Sequence, residues 1–339
     1  MKTLFKKQYL DTYLWWILIP LALGIIGLSV GTFLDLDISK AIVNQNSPLA
    51  IFGEGIAMTI VFFFGSLAAS MLCGGLYQTS KTPLRILGFA LLAVGIIVMG
   101  YLTGKYLVDE YTYLTWFVSS FGGAYKIMAT LLGIIIQGVV GIPLFFVFKK
   151  KDPERSIRIG LFILLWIALQ AGILEIFKRA CYRPRFRFLA GFTFDVNGEK
   201  TFAPAERIQY FRAWYENWRW FDKSMFADAN NPLLYATNSD YIKSWPSGHT
   251  GMATIALSLP LLVNAFGVKE STRKWLSPAL ALIGLAYLLL VAFARIRAGA
   301  HYLSDISTSI IIVSFIVIGL WLTVEKMPIR FKNEIDEVK

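Results

Sequence analysis

The sequence predicts an all-α fold: a polytopic helical membrane protein of about eight transmembrane helices, with one long outer loop carrying an interfacial helix. Three observations predict it. Hydrophobic residues make up 56% of the 339 positions and charged residues only 16%, against about 25% charged in a soluble domain. Eight apolar runs come near the ~20 residues a helix needs to cross a bilayer. The 33 Lys and Arg residues fall in clusters between those runs, as the positive-inside rule produces. The same clustering excludes a nucleic-acid partner despite the net charge of +11, because the cations form no single stripe.

In chain order the runs are 14–33, 56–73, 86–103, 127–148, 157–177, 250–266, 276–293 and 306–324. The first follows a basic start with Lys2, Lys6 and Lys7. It is too long for a signal-peptide core and is followed by a poor cleavage site, so a retained span is expected. Pro20 and Pro260 fall inside runs, which membrane helices tolerate where neighbours satisfy the freed backbone groups. With the N-terminus inside, the inner segments carry 17 basic residues and the short outer connections 5. Both termini are therefore expected in the cytoplasm of a multi-pass cell-membrane protein. The remaining 11 basic residues lie in one outer connection, about 178–243; long loops are largely exempt from the rule. Three parts are expected: motif-free helices over 1–156, a motif-bearing core over 157–325 that includes outer loop 178–248, and a cytoplasmic tail over 326–339.

Cys73 and Cys181 are the two cysteines. The topology puts them on opposite sides of the membrane, so no pairing is expected, and no CxxC metal site exists. With only His249 and His301, a His-rich metal site is excluded. No carboxylate cluster suited to magnesium lies near the motifs described next. No metal and no cofactor is expected.

Three constellations fall on the outer face. The fifth run closes with Lys178, Arg179, Arg183 and Arg185 within eight residues; alone this would be a snorkelling belt. Pro246-Ser247-Gly248-His249 opens the sixth. There a hydroxyl can cap bare N–H groups, glycine admits a ligand closely and a helix N-terminus attracts anions. Between the seventh and eighth runs stand Arg295, His301 and Asp305. If His301 opens a helix, Asp305 lies on its face four residues on. Its carboxylate can then accept the Nδ1–H bond and leave Nε2 as a nucleophile. Ionisable groups at membrane depth default to function, and all three sets share one side.

These residues resemble the type 2 phosphatidic acid phosphatase family, the lipid phosphate phosphatases. The family pattern is Lys-x6-Arg-Pro, Pro-Ser-Gly-His and Ser-Arg-x5-His-x3-Asp. Lys178 and Arg185 match the first with the six-residue gap, though Phe186 stands where proline is expected. The second matches fully at 246–249. In the third, Arg295, His301 and Asp305 match, while Ala294 replaces the serine. The resemblance covers about 157–324, and members commonly have six spans. It implies that His301 attacks phosphorus and forms a phosphohistidine, that Asp305 orients it, and that His249 protonates the leaving alkoxide and then activates water. It implies that Lys178, Arg185, Ser247, Gly248 and Arg295 hold the phosphoryl oxygens, with Arg183 as a further phosphate ligand. The implied activity is metal-independent hydrolysis of a lipid phosphate or pyrophosphate at the outer face. Undecaprenyl pyrophosphate, phosphatidylglycerol phosphate and phosphatidic acid are candidate substrates.

Two alternatives stand beside it. A phosphotransferase would use the same intermediate but hand the group to another acceptor. A transporter or anion-binding protein would carry broken helices in two related halves and charges at the midplane; the sequence has neither. The outer loop is rich in aromatic and basic residues, and 205–223 reads as an amphipathic, interfacial helix in contact with membrane lipids. A lid for a lipid phosphate and a small packed subdomain explain that loop equally well. Glu175 is expected to pair with Lys178 at i, i+3, and Gln137 and Gln170 to hydrogen-bond between helices. The sequence carries no indication of oligomeric state.

Overall fold

A computed structural model of the chain describes residues 7–108, 119–181, 183–190, 192–194, 200–202, 208, 211–218 and 242–326. Among these, seven helices are long and apolar enough to cross a membrane, at Trp16–Ile42, Pro48–Tyr77, Thr82–Val108, Ser119–Phe148, Pro153–Ala180, Glu270–Arg297 and Leu303–Val324. The protein is all-α and membrane-integral. The described strands are two of three residues each, β1 (Phe192–Phe194) and β2 (Lys200–Phe202), paired antiparallel with Thr193 opposite Thr201.

The first span is part of α1 (Lys7–Ile42), which keeps Pro20 in its interior. The second is built from α2 (Pro48–Glu54) and α3 (Ile56–Tyr77), interrupted at Gly55. Then follow α4 (Thr82–Val108), α5 (Tyr125–Phe148), α6 (Pro153–Ala180) and the four-residue α7 (Phe186–Leu189). The predicted sixth span, 250–266, is not one continuous helix. It divides into α8 (Gly248–Ala253), a 3-10 stretch over Thr254–Ser258 and α9 (Leu259–Ala265). Thr254 turns its hydroxyl back onto the Gly251 carbonyl, 2.5 Å away, a local bond that competes with the α-helical ladder. Pro260 lies in the first turn of α9, where its missing N–H costs nothing, rather than in a helix interior. The chain ends its described part with α10 (Glu270–Arg297) and α11 (Leu303–Lys326). Of the predicted interfacial helix over 205–223, only 208 and 211–218 are described, with a 3-10 turn at Trp214–Trp218; the rest of it lies outside the described residues.

The chain forms two compact units. One comprises Met1–Ala57, Leu169–Thr254 and Ala286–Phe315; the other comprises Met58–Ala168, Ile255–Leu285 and Ile316–Lys339. The second is held by apolar and aromatic packing, such as Phe162 between Trp166 and Trp321. Gln137 supplies its polar centre as expected, accepting from Ser66 at 2.7 Å and donating to Thr103 at 2.8 Å. Basic residues of this unit close helix ends: Lys151 donates to the Phe266 carbonyl, Arg155 to that of Asn264 and Arg158 to that of Val324.

The first unit differs in kind. Asp35, Arg183, Arg185, Arg187, Arg295, His301 and Asp305 are all buried in it. Buried charges persist only when paired and hydrogen-bonded, so this interior is organised by its polar contacts. Gln170 bonds Met252 and Thr254 there, as its place in an apolar run predicts.

Candidate active site

Ser247 is the N-cap of α8, its hydroxyl accepting from the Thr250 N–H and lying 2.9 Å from the Thr250 hydroxyl. Two bonds seat this turn on the start of α11. The Ser247 N–H donates to the Asp305 carbonyl at 3.2 Å, and Ser309 donates its hydroxyl to the Ser247 carbonyl at 2.8 Å. On the approach to α11, Gly299 takes φ +65°, a conformation that glycine adopts at little cost. Its carbonyl accepts from the Arg187 N–H, and the Arg295 carbonyl accepts from the Ala300 and His301 N–H groups. The Ser-Gly-His turn and the His301 loop are thus fixed to each other through the first turn of α11.

His301 is fully buried. Its Nδ1 lies 2.5 Å from the Ser244 carbonyl. A carbonyl only accepts, so Nδ1 carries the proton and Nε2 keeps its lone pair. Nε2 is buried with no hydrogen-bond partner among the described residues, the state a nucleophile requires. The i, i+4 spacing predicted that Asp305 would take the Nδ1–H bond. Instead its nearest carboxylate oxygen is 3.8 Å from Nδ1. Asp305 Oδ2 accepts from the Tyr302 N–H at 2.8 Å and from the Ser244 hydroxyl, and Oδ1 accepts from Arg183. The carboxylate therefore acts on His301 through Ser244, whose side chain it holds and whose carbonyl orients the ring.

Lys178, Arg185 and Arg295 converge on the two histidines. Burial pushes the pKa values of His249 and His301 well below the usual histidine range, and the nearby Arg295, Lys178 and Arg185 charges push in the same direction. Lys178 reaches the Ser-Gly-His turn directly: a Cβ on Gly248 would lie 2.8 Å from its Nζ. Glu175, expected to pair with Lys178, forms its ion pair with Arg179 at 2.9 Å. Arg185 is 4% exposed and Arg295 2%, so charges this deep act in a low dielectric. Three cations converging in this way suit a multiply charged anion.

Arg183 has a different role from the phosphate ligand expected. It is fully buried, and its Nε, Nη1 and Nη2 donate to the Arg212 carbonyl, to Ser304 and Asp305, and to Asp35. Its guanidinium stacks 4.1 Å from the Tyr302 ring centre. Arg183 is a strut between two carboxylates. One of these, Asp35 of α1, belongs to none of the three motifs; it also accepts from the Ser304 N–H at 2.9 Å and from the Ser304 hydroxyl. A carboxylate just beyond an apolar run was the available signal.

Glu54 and Arg187 also lie outside the motif positions. Glu54 pairs with Arg187 and lies 3.7 Å from Arg295. Its backbone carbonyl is 3.3 Å from His249 Nε2. The two departures from the family pattern have local reasons. Ala294 packs so closely on α2 that a Cβ on Gly53 would lie 2.5 Å from its own, and Phe186 opens α7 with its buried ring edge-on to Tyr302. Among the described residues no group of three or more His, Cys, Asp or Glu side chains is arranged to hold a metal ion.

No curated protein and no solved structure matches the chain. A sequence model of the PAP2 superfamily matches residues 159–328, half of the chain, and that stretch contains every motif residue described above. Two histidines on one anion-suited wall, in that matched stretch of a membrane-integral helical protein, lead to one assignment: the chain belongs to the PAP2 superfamily, whose chemistry is phosphatase-type hydrolysis of phosphoesters.

Proposed function

We propose that this protein hydrolyses a lipid phosphate or lipid pyrophosphate through a phosphohistidine on His301, without a metal ion, at the outer face of the cell membrane. The observation that carries the reading is His301 Nε2: a buried lone pair, in the tautomer set by Ser244, beside three cations. In the first step Nε2 attacks phosphorus and the bond from phosphorus to the leaving oxygen breaks. The electron pair departs on that oxygen, and His249 supplies its proton. In the second step water attacks the phosphohistidine, His249 takes its proton, and the P–N bond breaks to release phosphate.

Phosphoryl transfer depends on positioning and on stabilising charge over the equatorial oxygens. Lys178, Arg185 and Arg295, with the first-turn N–H of Gly248 and the Ser247 hydroxyl, serve that role. Burial, and after it the three nearby cations, depress the proton affinity of His249 in the free protein. A bound phosphate dianion offsets the cations, so binding the substrate itself favours the acid form of His249. The lipid nature of the substrate is supported by the site's place in a membrane-integral chain, and the outer orientation by the distribution of basic residues.

Purified full-length protein in detergent should release phosphate from lipid phosphates in the presence of EDTA and be inhibited by vanadate, a mimic of five-coordinate phosphorus. His301→Ala should abolish both turnover and phosphoenzyme formation. A strict metal requirement, or full activity in His301→Ala, would refute the mechanism.

A further inference from the structure

The matched family region begins at residue 159, yet one residue of α2 reaches the site from far upstream. Glu54 makes three contacts there, and the first two are side-chain contacts with separate cations. Its carboxylate is bound by Arg187, a buried residue of α7, and lies 3.7 Å from Arg295. Its backbone carbonyl lies 3.3 Å from His249 Nε2. The preceding carbonyl, Gly53, accepts from Arg295 Nη1 at 3.4 Å. The C-terminal end of α2 thus presents one carboxylate and two carbonyl oxygens to a phosphate-binding arginine and to the leaving-group histidine. The close approach of Gly53 to Ala294 is what brings it there.

We infer that Glu54 is a positioning residue for the leaving-group half of the reaction: its carbonyl orients His249 and its carboxylate keeps that histidine protonated when the leaving oxygen needs its proton. The inference rests on the phosphatase reading. The carbonyl can only accept, so Nε2 of His249 donates to it, which fixes the ring. Among the described residues, the charges that bear on His249 come from Arg295 of α10, Lys178 of α6, His301 and Arg185 before α7. The Glu54 carboxylate, bound by Arg187 and 3.7 Å from Arg295, opposes the positive charge on this side. Removing that charge makes the imidazolium harder to form. His249 then loses its acid proton at a lower pH, and the alkaline limb of the rate profile moves down.

The size of the effect depends on the substrate. A poor leaving group, an alkoxide, needs a full proton from His249, whereas p-nitrophenolate leaves almost unaided. Glu54→Gln keeps the shape and the hydrogen-bonding oxygen and removes the charge. Full-length wild-type, Glu54→Gln, Glu54→Asp and His301→Ala proteins are compared on octyl phosphate and p-nitrophenyl phosphate across pH. In Glu54→Gln, kcat/KM for octyl phosphate is expected to fall about tenfold or more, since general acid catalysis contributes at least that much. The p-nitrophenyl phosphate value should change by less than about threefold, and the alkaline limb for octyl phosphate should move to lower pH. Glu54→Asp should restore the limb toward wild type. Equal losses on both substrates with an unmoved limb would reduce Glu54 to a structural support and overturn the inference, as would a Glu54→Gln protein indistinguishable from wild type. Wild-type protein that hydrolyses neither substrate, or a His301→Ala protein as active as wild type, would overturn the phosphatase reading and this inference with it.

Discussion

At the residue scale, Gly248 shows how one missing carbon shapes the site. A Cβ there would lie 2.8 Å from Lys178 Nζ. The obstructing atom is the tip of a flexible side chain, so Gly248→Ala should fold normally while the ammonium swings away from the turn. Vanadate affinity should then drop by about tenfold, the equivalent of one strong charge-assisted contact weakened, with thermal unfolding unchanged. An unfolding midpoint that falls with affinity intact would contradict this account of the glycine. The identities of His249, His301, Lys178, Arg185 and Arg295 were legible in the sequence because their spacing repeats a known pattern and ionisable groups are costly at membrane depth. The part played by Arg183 was not. One cation of a basic cluster differs from the next only in burial and in its partners, and only folding sets Arg183 between Asp35 and Asp305.

At the scale of elements, α1 carries no motif and lies outside the matched region, yet belongs to the same compact unit as the site. A Cβ on Gly31 would lie 2.6 Å from the Ser304 nitrogen, so α1 passes directly against the first turn of α11. Asp35, one turn on, meets Arg183 at 2.8 Å and Ser304. The chain of contacts then runs from Asp35 through Arg183 to Asp305 and Ser244, and ends on His301 Nδ1. Breaking one partner of a buried pair typically costs about 3–5 kcal/mol, so Asp35→Asn should lower stability by that order. Residues in one network are non-additive by about 0.5–3 kcal/mol. Thermal or denaturant unfolding of Asp35→Asn, Arg183→Gln and the double variant should therefore reveal coupling; strictly additive losses would show that α1 only packs beside the network. The interrupted helix over 248–265 belongs to this scale too. Hydropathy predicted a span there, but a cap at Ser247, the Thr254 back-bond and Pro260 were needed to see that the run is divided.

At the scale of the whole molecule, two buried imidazoles with lowered pKa values tie stability to pH. In the unfolded chain each histidine binds a proton below about pH 6.5. In the folded protein each resists protonation until well below that. The unfolded state therefore binds more protons as pH falls through 6.5, and stability declines from there down to the folded pKa values. The slope is about 1.4 kcal/mol per pH unit for each histidine. Unfolding midpoints of detergent-solubilised protein between pH 7.5 and 5 should follow this decline, and His249→Asn should make it shallower. A midpoint independent of pH over that range would mean that neither ring is held neutral by its surroundings.

The sequence by itself determined the all-α membrane class, because apolar runs of bilayer length are a one-dimensional signal. It also determined the residues of the three motifs, because the spacing along the chain carries them. Only the tertiary structure decided that Ser244 rather than Asp305 bonds Nδ1, that Arg183 is a strut, and that Asp35 and Glu54 reach the site from α1 and α2. Those assignments depend on distances between side chains far apart in sequence, over 240 positions in the case of Glu54 and Arg295. Hydrogen bonds and ion pairs between such residues form wherever packing brings donor to acceptor, and no local pattern encodes that meeting.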